Sequence, residues 1–315
     1  MRVAIAGSGR LAACLIRSLL DSPHDVIALV QNGRVNRGLK RHLTASAGYA
    51  FGPQTSVLGL ATRNDVPVLW IDRMDDVELA PLHVLQPDVL LVGGFSIILK
   101  RPILDLPRLG CVNCHSSLLP KHRGPNPFSA AILAQDTETG VTFHIVDEGI
   151  DTGDVLEQYA FDIGPKDTAM HVYQNCCVLA GDQVVGVMDR IEAKGRLEGT
   201  PQDHDAATYD PRLTEHDVRI DWAQPVADIE RMTRACRPFF LARFRSRGKT
   251  VYLTQLNSDE TEIDATPGTV ISSSPLVRVA TGRGSLTVVS AYCATPIPWR
   301  WPAPWNRPKP GEQLD

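Results

Sequence analysis

Residues 2 to 20 read RVAIAGSGRLAACLIRSLL. The first six are an apolar run of strand length, the glycines of GSG break it, and Leu11, Leu15, Ile16 and Leu19 then recur at helical spacing. Strand, glycine turn and helix in that order open a parallel α/β sheet. Three more buried-strand runs follow: DVIALVQN (25–32), VPVLWI (66–71) and DVLLVG (88–93), with a short helix expected between the last two. The pattern from Gly7 is also G-x-G-x-x-A, the fingerprint of dinucleotide sites, so a nicotinamide-dependent oxidoreductase is the sharpest rival reading. Against it, the second strand ends in Gln31 and Asn32, where a cofactor ribose calls for an acid. Without that acid, Gly7 and Gly9 read as close helix-to-strand packing and a tight turn.

Further along, residues 110–154 concentrate the polar chemistry: GCVNCHSSLLPKHRGPNPFSAAILAQDTETGVTFHIVDEGIDTGD. RLGCVN (108–113) reads as a short strand, and residues two apart on a strand share a face, so Asn113 and His115 point the same way at its end. A second strand, VTFHIV (141–146), delivers Asp147, Glu148 and Asp151 on a loop broken by Gly149 and Gly153. An amide, an imidazole and a carboxylate at strand ends suit acyl-type transfer through a tetrahedral intermediate. Each alone has a plain structural explanation: a strand-end cap, a hydrogen-bonded loop histidine, a turn aspartate. Ser116 and Ser117 lack a G-x-S-x-G elbow, which argues against a serine nucleophile.

The succession Asn113-x-His115, SLLP (117–120), RG (123–124), TGVT (139–142) and DTGD (151–154) resembles the folate-dependent formyltransferases, and most of all those that act on methionyl-tRNA. The resemblance implies a Rossmann-like formyltransferase domain followed by a C-terminal open β-barrel of OB-like type. It implies 10-formyltetrahydrofolate as co-substrate, no metal, and Asn113, His115 and Asp151 as catalytic residues. A protonated His115 and Asn113 would hold the oxyanion, with Asp151 orienting His115 and taking the proton of the attacking ammonium. The pterin ring would lie against Phe95, Ile97, Ile98 and Leu99, after the glycines that end the 88–93 strand, and against the loop holding Val146, Asp147, Gly149 and Asp151. The acceptor would meet the basic loop bearing Arg34, Arg37, Lys40 and Arg41 and the turn from Ser117 through Leu118, Leu119 and Pro120 to Arg123. Initiator methionyl-tRNA is the acceptor the resemblance favours. RGPNPF and the glycine-rich loop 43–62 depart from the usual pattern, which keeps a nucleotide-linked amino sugar or a carrier-bound or small amine open. A 10-formyltetrahydrofolate hydrolase and a pure RNA-binding module are further alternatives.

At 315 residues, 43% hydrophobic and 22% charged, the chain suits a two-domain globular protein. No apolar run reaches the ~18 residues of a membrane span, and MRVAIAGSGR has no signal-peptide build, so a cytoplasmic location is expected. The seven cysteines are odd in number and scattered, which argues against a disulfide framework; Cys111-x-x-Cys114 lacks the second pair that a zinc site needs. A net charge of −4 announces no nucleic-acid partner for the whole molecule, although Arg231, Arg234, Arg237, Arg243, Arg245, Arg247 and Lys249 follow one another without an intervening acid.

The remaining organisation is read from periodicity and breakers. PFSAAILAQD (127–136) suits a helix, DVLEQYAFDI (154–163) an alternating strand, and 167–195 a long amphipathic helix closing one face of the sheet. That gives a catalytic domain over 1–195, a polar linker over 196–216 and a β-barrel domain over 217–315 with a Pro- and Trp-rich tail. The tail, carrying Trp299, Trp301 and Trp305, is expected to lie extended as a strap.

Overall fold

The computed structural model describes residues 1–33, 56–237, 239–293 and 303–315. The described chain divides into two units, the first built of 1–127, 137–163 and 171–211 and the second of 128–136, 164–170 and 212–315.

The first unit is a seven-stranded sheet with helices. Its strands are β1 (Arg2–Gly7), β2 (Asp25–Asn32), β3 (Val68–Ile71), β4 (Val89–Gly93), β5 (Gly110–His115), β6 (Glu138–Ile145) and β7 (Val155–Asp162), in the order β3-β2-β1-β4-β5-β6-β7. The first five are parallel, and β6 and β7 extend the sheet antiparallel. β1, β2 and β4 are buried almost throughout, as near-continuous apolar runs must be when both faces of a parallel sheet are covered. The strand order reverses between β1 and β4, so the crevice of this sheet opens at their carboxyl ends.

Glycine decides the geometry there. Gly7 pairs with Gly93, and a Cβ on Gly7 would stand 2.2 Å from the Gly93 carbonyl oxygen. Helix α1 (Gly9–Leu20) starts directly after, burying Leu11, Leu15, Ile16 and Leu19. Helix α6 (Ala169–Lys194), numbered after α2 (Val57–Arg63), α3 (Asp76–Leu85), α4 (Arg101–Leu104) and α5 (Pro127–Leu133), crosses α1 closely at Gly181, where a Cβ would lie 3.3 Å from Cys14 Cβ. Tyr173 on α6 accepts a hydrogen bond from the Leu11 amide at 3.3 Å. That amide belongs to the helix turn that would face a pyrophosphate, and Gln31, where a ribose-binding acid would end β2, is buried and donates to the Gly7 carbonyl. Among the described residues the glycine fingerprint is therefore used for packing, which speaks against the dinucleotide reading.

The second unit holds α7 (Val226–Cys236) and an open antiparallel sheet ordered β10-β11-β12-β9-β8, with β8 Arg243–Ser246, β9 Lys249–Asp259, β10 Val270–Ser272, β11 Val277–Ala280 and β12 Ser285–Cys293; β13 (Ala303–Pro304) pairs with β12. Trp222, Phe244, Val251, Leu253, Val279 and Leu286 form its core. The last residues add to it: Leu314 is buried, Trp305 packs on Phe244 with ring centroids 5.4 Å apart, and the backbone of Asp315 exchanges hydrogen bonds with Arg245. Trp299 and Trp301 lie outside the described residues.

The expected linker over 196–216 differs most from its reading. Residues up to Pro211 belong to the first unit: Thr200 bridges Val155 and Tyr209 bridges Arg123. Polar, aperiodic sequence looked like a spacer because its partners are backbone groups far away in the chain.

Candidate active site

β5 runs two residues past the expected strand, so Asn113 and His115 are both ladder residues, opposite His144 and Thr142 of β6. Side chains on one face then meet. Asn113 Nδ2 lies 3.1 Å from His144 Nε2 and 3.3 Å from Asp151 Oδ1, and Asp151 Oδ2 stands 3.6 Å from His115 Nδ1. The Gly124 amide donates to Asp151 Oδ2 at 2.9 Å, and Asp151 Oδ1 is 3.6 Å from His144 Nε2. Four residues from three segments of the first unit thus converge on one carboxylate. The loop that carries it is tightly shaped: Asp151 sits at φ 55, and a Cβ on Gly153 would lie 2.0 Å from the Ile145 carbonyl oxygen. Gln202 Nε2 donates to the Asp151 and Gly153 carbonyls at 2.9 and 2.7 Å.

The tautomers follow from the carbonyls, which only accept. His144 Nδ1 is 2.8 Å from the Ile145 oxygen, so it carries that ring's hydrogen and Nε2 accepts from Asn113. His115 Nε2 is 2.9 Å from the His122 oxygen, so it too is the protonated nitrogen, and the His115 Nδ1 lone pair faces Asp151.

Burial lowers the His115 imidazole from its ordinary value, and the pull of Asp151 and the His122 carbonyl in the other direction does not restore it. Burial also opposes ionisation of Asp151, but the positive charge that His115 and His144 carry when protonated, together with the Gly124 amide, outweighs it and holds this carboxyl well below the usual carboxylate range. A lowered histidine means that the unfolded chain takes up its proton first as pH falls through about 6.5. Stability is then full above that value and declines below it. His115→Gln is therefore expected to lose less stability than the parent between pH 7 and 5.5, by up to about 1 kcal/mol, in urea titrations at the two pH values. Identical losses would show that His115 is not the group responsible.

Several expected contacts are turned inward. Ser117 is fully buried with its hydroxyl on the Lys121 carbonyl, and Leu119 is buried with its amide on Thr142; with Leu118 and Pro120 they build the turn that follows His115, that hydroxyl and that amide being used internally. Arg123 is buried too, its guanidinium held by Gln202 Oε1 at 2.7 Å and His204 Nδ1 at 3.1 Å, so the expected phosphate contact is replaced by an internal one. Arg34, Arg37, Lys40 and Arg41 lie outside the described residues. At the candidate slot, Phe95, Ile97 and Val146 are half-buried against one core cluster, Leu99 is part of that core, and Ile98 is exposed. The Asp147 carboxylate shapes its own loop, accepting from the Gly149 amide and the Thr152 hydroxyl.

Among the described residues, His24, Asp189 and Glu192 form a group with metal-ligand spacing. His24 immediately precedes β2, at the amino end of the parallel strands, whereas Asn113 and His115 end β5. The cysteines are all free, and burial pushes Cys111 and Cys177 up to about 12.

Sequence reading missed His144, the Gly124 amide, Gln202 and the His122 carbonyl. His144 had a signal, a lone imidazole in an apolar strand two residues from Thr142. Gln202 had none.

The family model described as Formyl transferase matches residues 1–187, and that of the Formyl transferase C-terminal domain matches 212–295. The chain belongs to the formyl transferase family. It is a formyltransferase, as are its curated relatives. The methionyl-tRNA formyltransferase of Chloroflexus aggregans is 36% identical over 303 residues, covering 95% of this chain and 94% of the relative. That of Pseudomonas entomophila is 34% identical over 291 residues, 91% and 90% of the two chains. Among solved structures, an N-formyltransferase from Helicobacter canadensis, in complex with folinic acid and dTDP-3-aminofucose, has the same fold at TM-score 0.68 and 21% identity, covering 92% of this chain and 99% of that one. The sugar 3N-formyltransferase WlaRD matches at TM-score 0.65 and 19% identity, over 91% of this chain and 97% of that one.

Proposed function

We propose that this formyltransferase moves the formyl group of 10-formyltetrahydrofolate to the amino group of initiator methionyl-tRNA. The convergence of Asn113, His115 and Asp151 on one point at the rim of the sheet carries the chemistry. The near end-to-end similarity to methionyl-tRNA formyltransferases favours the acceptor.

The amine lone pair attacks the formyl carbon, a C–N bond forms, and the carbonyl electrons move to oxygen. Asn113 donates to that oxygen by exchanging its long 3.3 Å bond to Asp151. The amine proton goes to His115 Nδ1, the lone pair that faces the site. Asp151 stabilises the imidazolium so formed. When the oxyanion collapses, the bond from carbon to the folate N10 breaks, and His115 returns the proton to that nitrogen. In this reading His115 starts neutral, as its burial favours, and Asp151 acts as its electrostatic partner. The apolar rim of Phe95, Ile97 and Val146 suits a flat ring.

One observation favours a second acceptor class, a nucleotide-linked amino sugar. Much of the basic cluster after residue 230 is neutralised at home: Arg231 pairs with Asp228, Arg234 with Glu230, Arg243 with Glu215 and Arg247 with Glu312. A screen of charged initiator tRNA, nucleotide-linked amino sugars and small amines, scored by tetrahydrofolate release, decides between them. Release without an amine would indicate a hydrolase instead. If the tRNA is the acceptor, reversing Arg37, Lys40 and Arg41 to glutamate should weaken its binding at least tenfold at moderate salt and flatten the salt dependence. Unchanged affinity would remove that loop from the interface.

A further inference from the structure

We infer that Thr208 and Asp210 are positioning residues which, by holding the His122 carbonyl in place, select the tautomer of His115; the inference rests on the proposed role of His115 as proton carrier. His122 is a non-glycine residue at φ 58, a left-handed conformation that few non-glycine residues adopt, and it is held there by its surroundings. The imposing contacts come from the segment once read as linker. The His122 amide donates to Thr208 Oγ1 at 2.8 Å, and its ring Nδ1 lies 2.8 Å from Asp210 Oδ2. The backbone on either side is tied to the same segment, Arg123 N–H to the Thr208 carbonyl and Asp210 N–H to the Arg123 carbonyl, both at 2.9 Å. The next residue has no room to relax, since a Cβ on Gly124 would lie 2.4 Å from the Asp210 carbonyl oxygen.

The conformation aims the His122 carbonyl at His115 Nε2, 2.9 Å away. Two acceptors compete for the one hydrogen of neutral His115: this carbonyl on one side and the Asp151 carboxylate, 3.6 Å from Nδ1, on the other. Were the carbonyl to turn away, the carboxylate would draw the hydrogen to Nδ1, and the lone pair would move to Nε2, away from Asp151 and Asn113. The ring would then keep its place and lose its function as a base. The titratable groups facing His115 are Asp151, His144 and His122 itself, and Asp210 faces His122 from the segment packed against it. The same segment steadies the other half of the pair through Gln202, which bonds the Asp151 and Gly153 carbonyls.

The test combines kinetics with nitrogen NMR of histidine-labelled protein. In Asp210→Ala, kcat should fall about tenfold with KM for both substrates within twofold, and the His115 signals should move from the Nε2–H towards the Nδ1–H tautomer. Asparagine accepts the left-handed conformation without the Asp210 contact, so adding His122→Asn to that variant should recover most of kcat and restore the Nε2–H signals. An unchanged tautomer in Asp210→Ala, or a loss that His122→Asn does not recover, overturns the inference. Should Asp210→Ala not fold, Thr208→Val keeps the His122–Asp210 pair and should shift the tautomer in the same direction by less; no shift there overturns it equally. Full activity in His115→Ala would sink the catalytic reading instead, and the NMR result, which needs no turnover, keeps the two failures apart.

Discussion

Asp151→Asn is expected to lower kcat for formyl transfer by about 10³-fold while the protein remains folded. Asparagine is the informative replacement because position 151 is held at φ 55, a conformation it tolerates and alanine does not. The backbone of the site is kept, while the charge is lost and one of the two accepting oxygens becomes an NH2 group facing either the Gly124 amide or Asn113. That charge is what stabilises the imidazolium of His115 across 3.6 Å, and it receives the Gly124 amide and one N–H of Asn113. Without it, taking the amine proton leaves a cation buried with no counter-charge, the costly arrangement in a low-dielectric interior. Donor and acceptor KM should move by no more than a few-fold, since the role belongs to the transition state. Activity within threefold of the parent would remove Asp151 from the mechanism.

The second large effect is on stability. Gly7→Ala should destabilise the first unit by about 3 kcal/mol or more, a large share of the roughly 5–15 kcal/mol that hold a typical protein folded. The new Cβ would stand 2.2 Å from the Gly93 carbonyl oxygen and 2.8 Å from Ala12 Cβ. Neither neighbour is the end of a flexible side chain, so β1 must part from β4 or α1 must lift from the sheet, both in the middle of the core. A drop in urea midpoint with unchanged slope would report it, and a midpoint equal to the parent's would contradict the packing. Gly186→Ala is the matched control: it lies in α6 with nothing nearer than the Arg190 guanidinium at 3.5 Å, and should stabilise by about 0.5–1 kcal/mol.

Residues 2 to 20 and the apolar runs after them were legible because burial on both sheet faces demands unbroken apolar strands, and the glycines between them mark the crevice. Asn113 and His115 were legible as a pair because strand period is local. The fold class, the formyltransferase family and the second, antiparallel domain follow from such short-range patterns and ordered motifs.

What the chain alone could not disclose is everything settled by contacts across long separations. Arg123 looked like a phosphate ligand and is spent on Gln202, 79 residues away; the basic run after residue 230 looked unopposed and meets Glu215 and Glu312 from distant segments. The stretch 196–211 looked like a tether and instead braces the site, because hydrogen bonds to backbone carbonyls leave no trace in composition or period. Likewise the protonation of His115 and Asp151 is a property of burial and facing charges, which exist only once β5, β6 and the 147–153 loop are assembled. Pattern along the chain names the groups that do chemistry; the dielectric and the partners that set what each group does come from the folded arrangement.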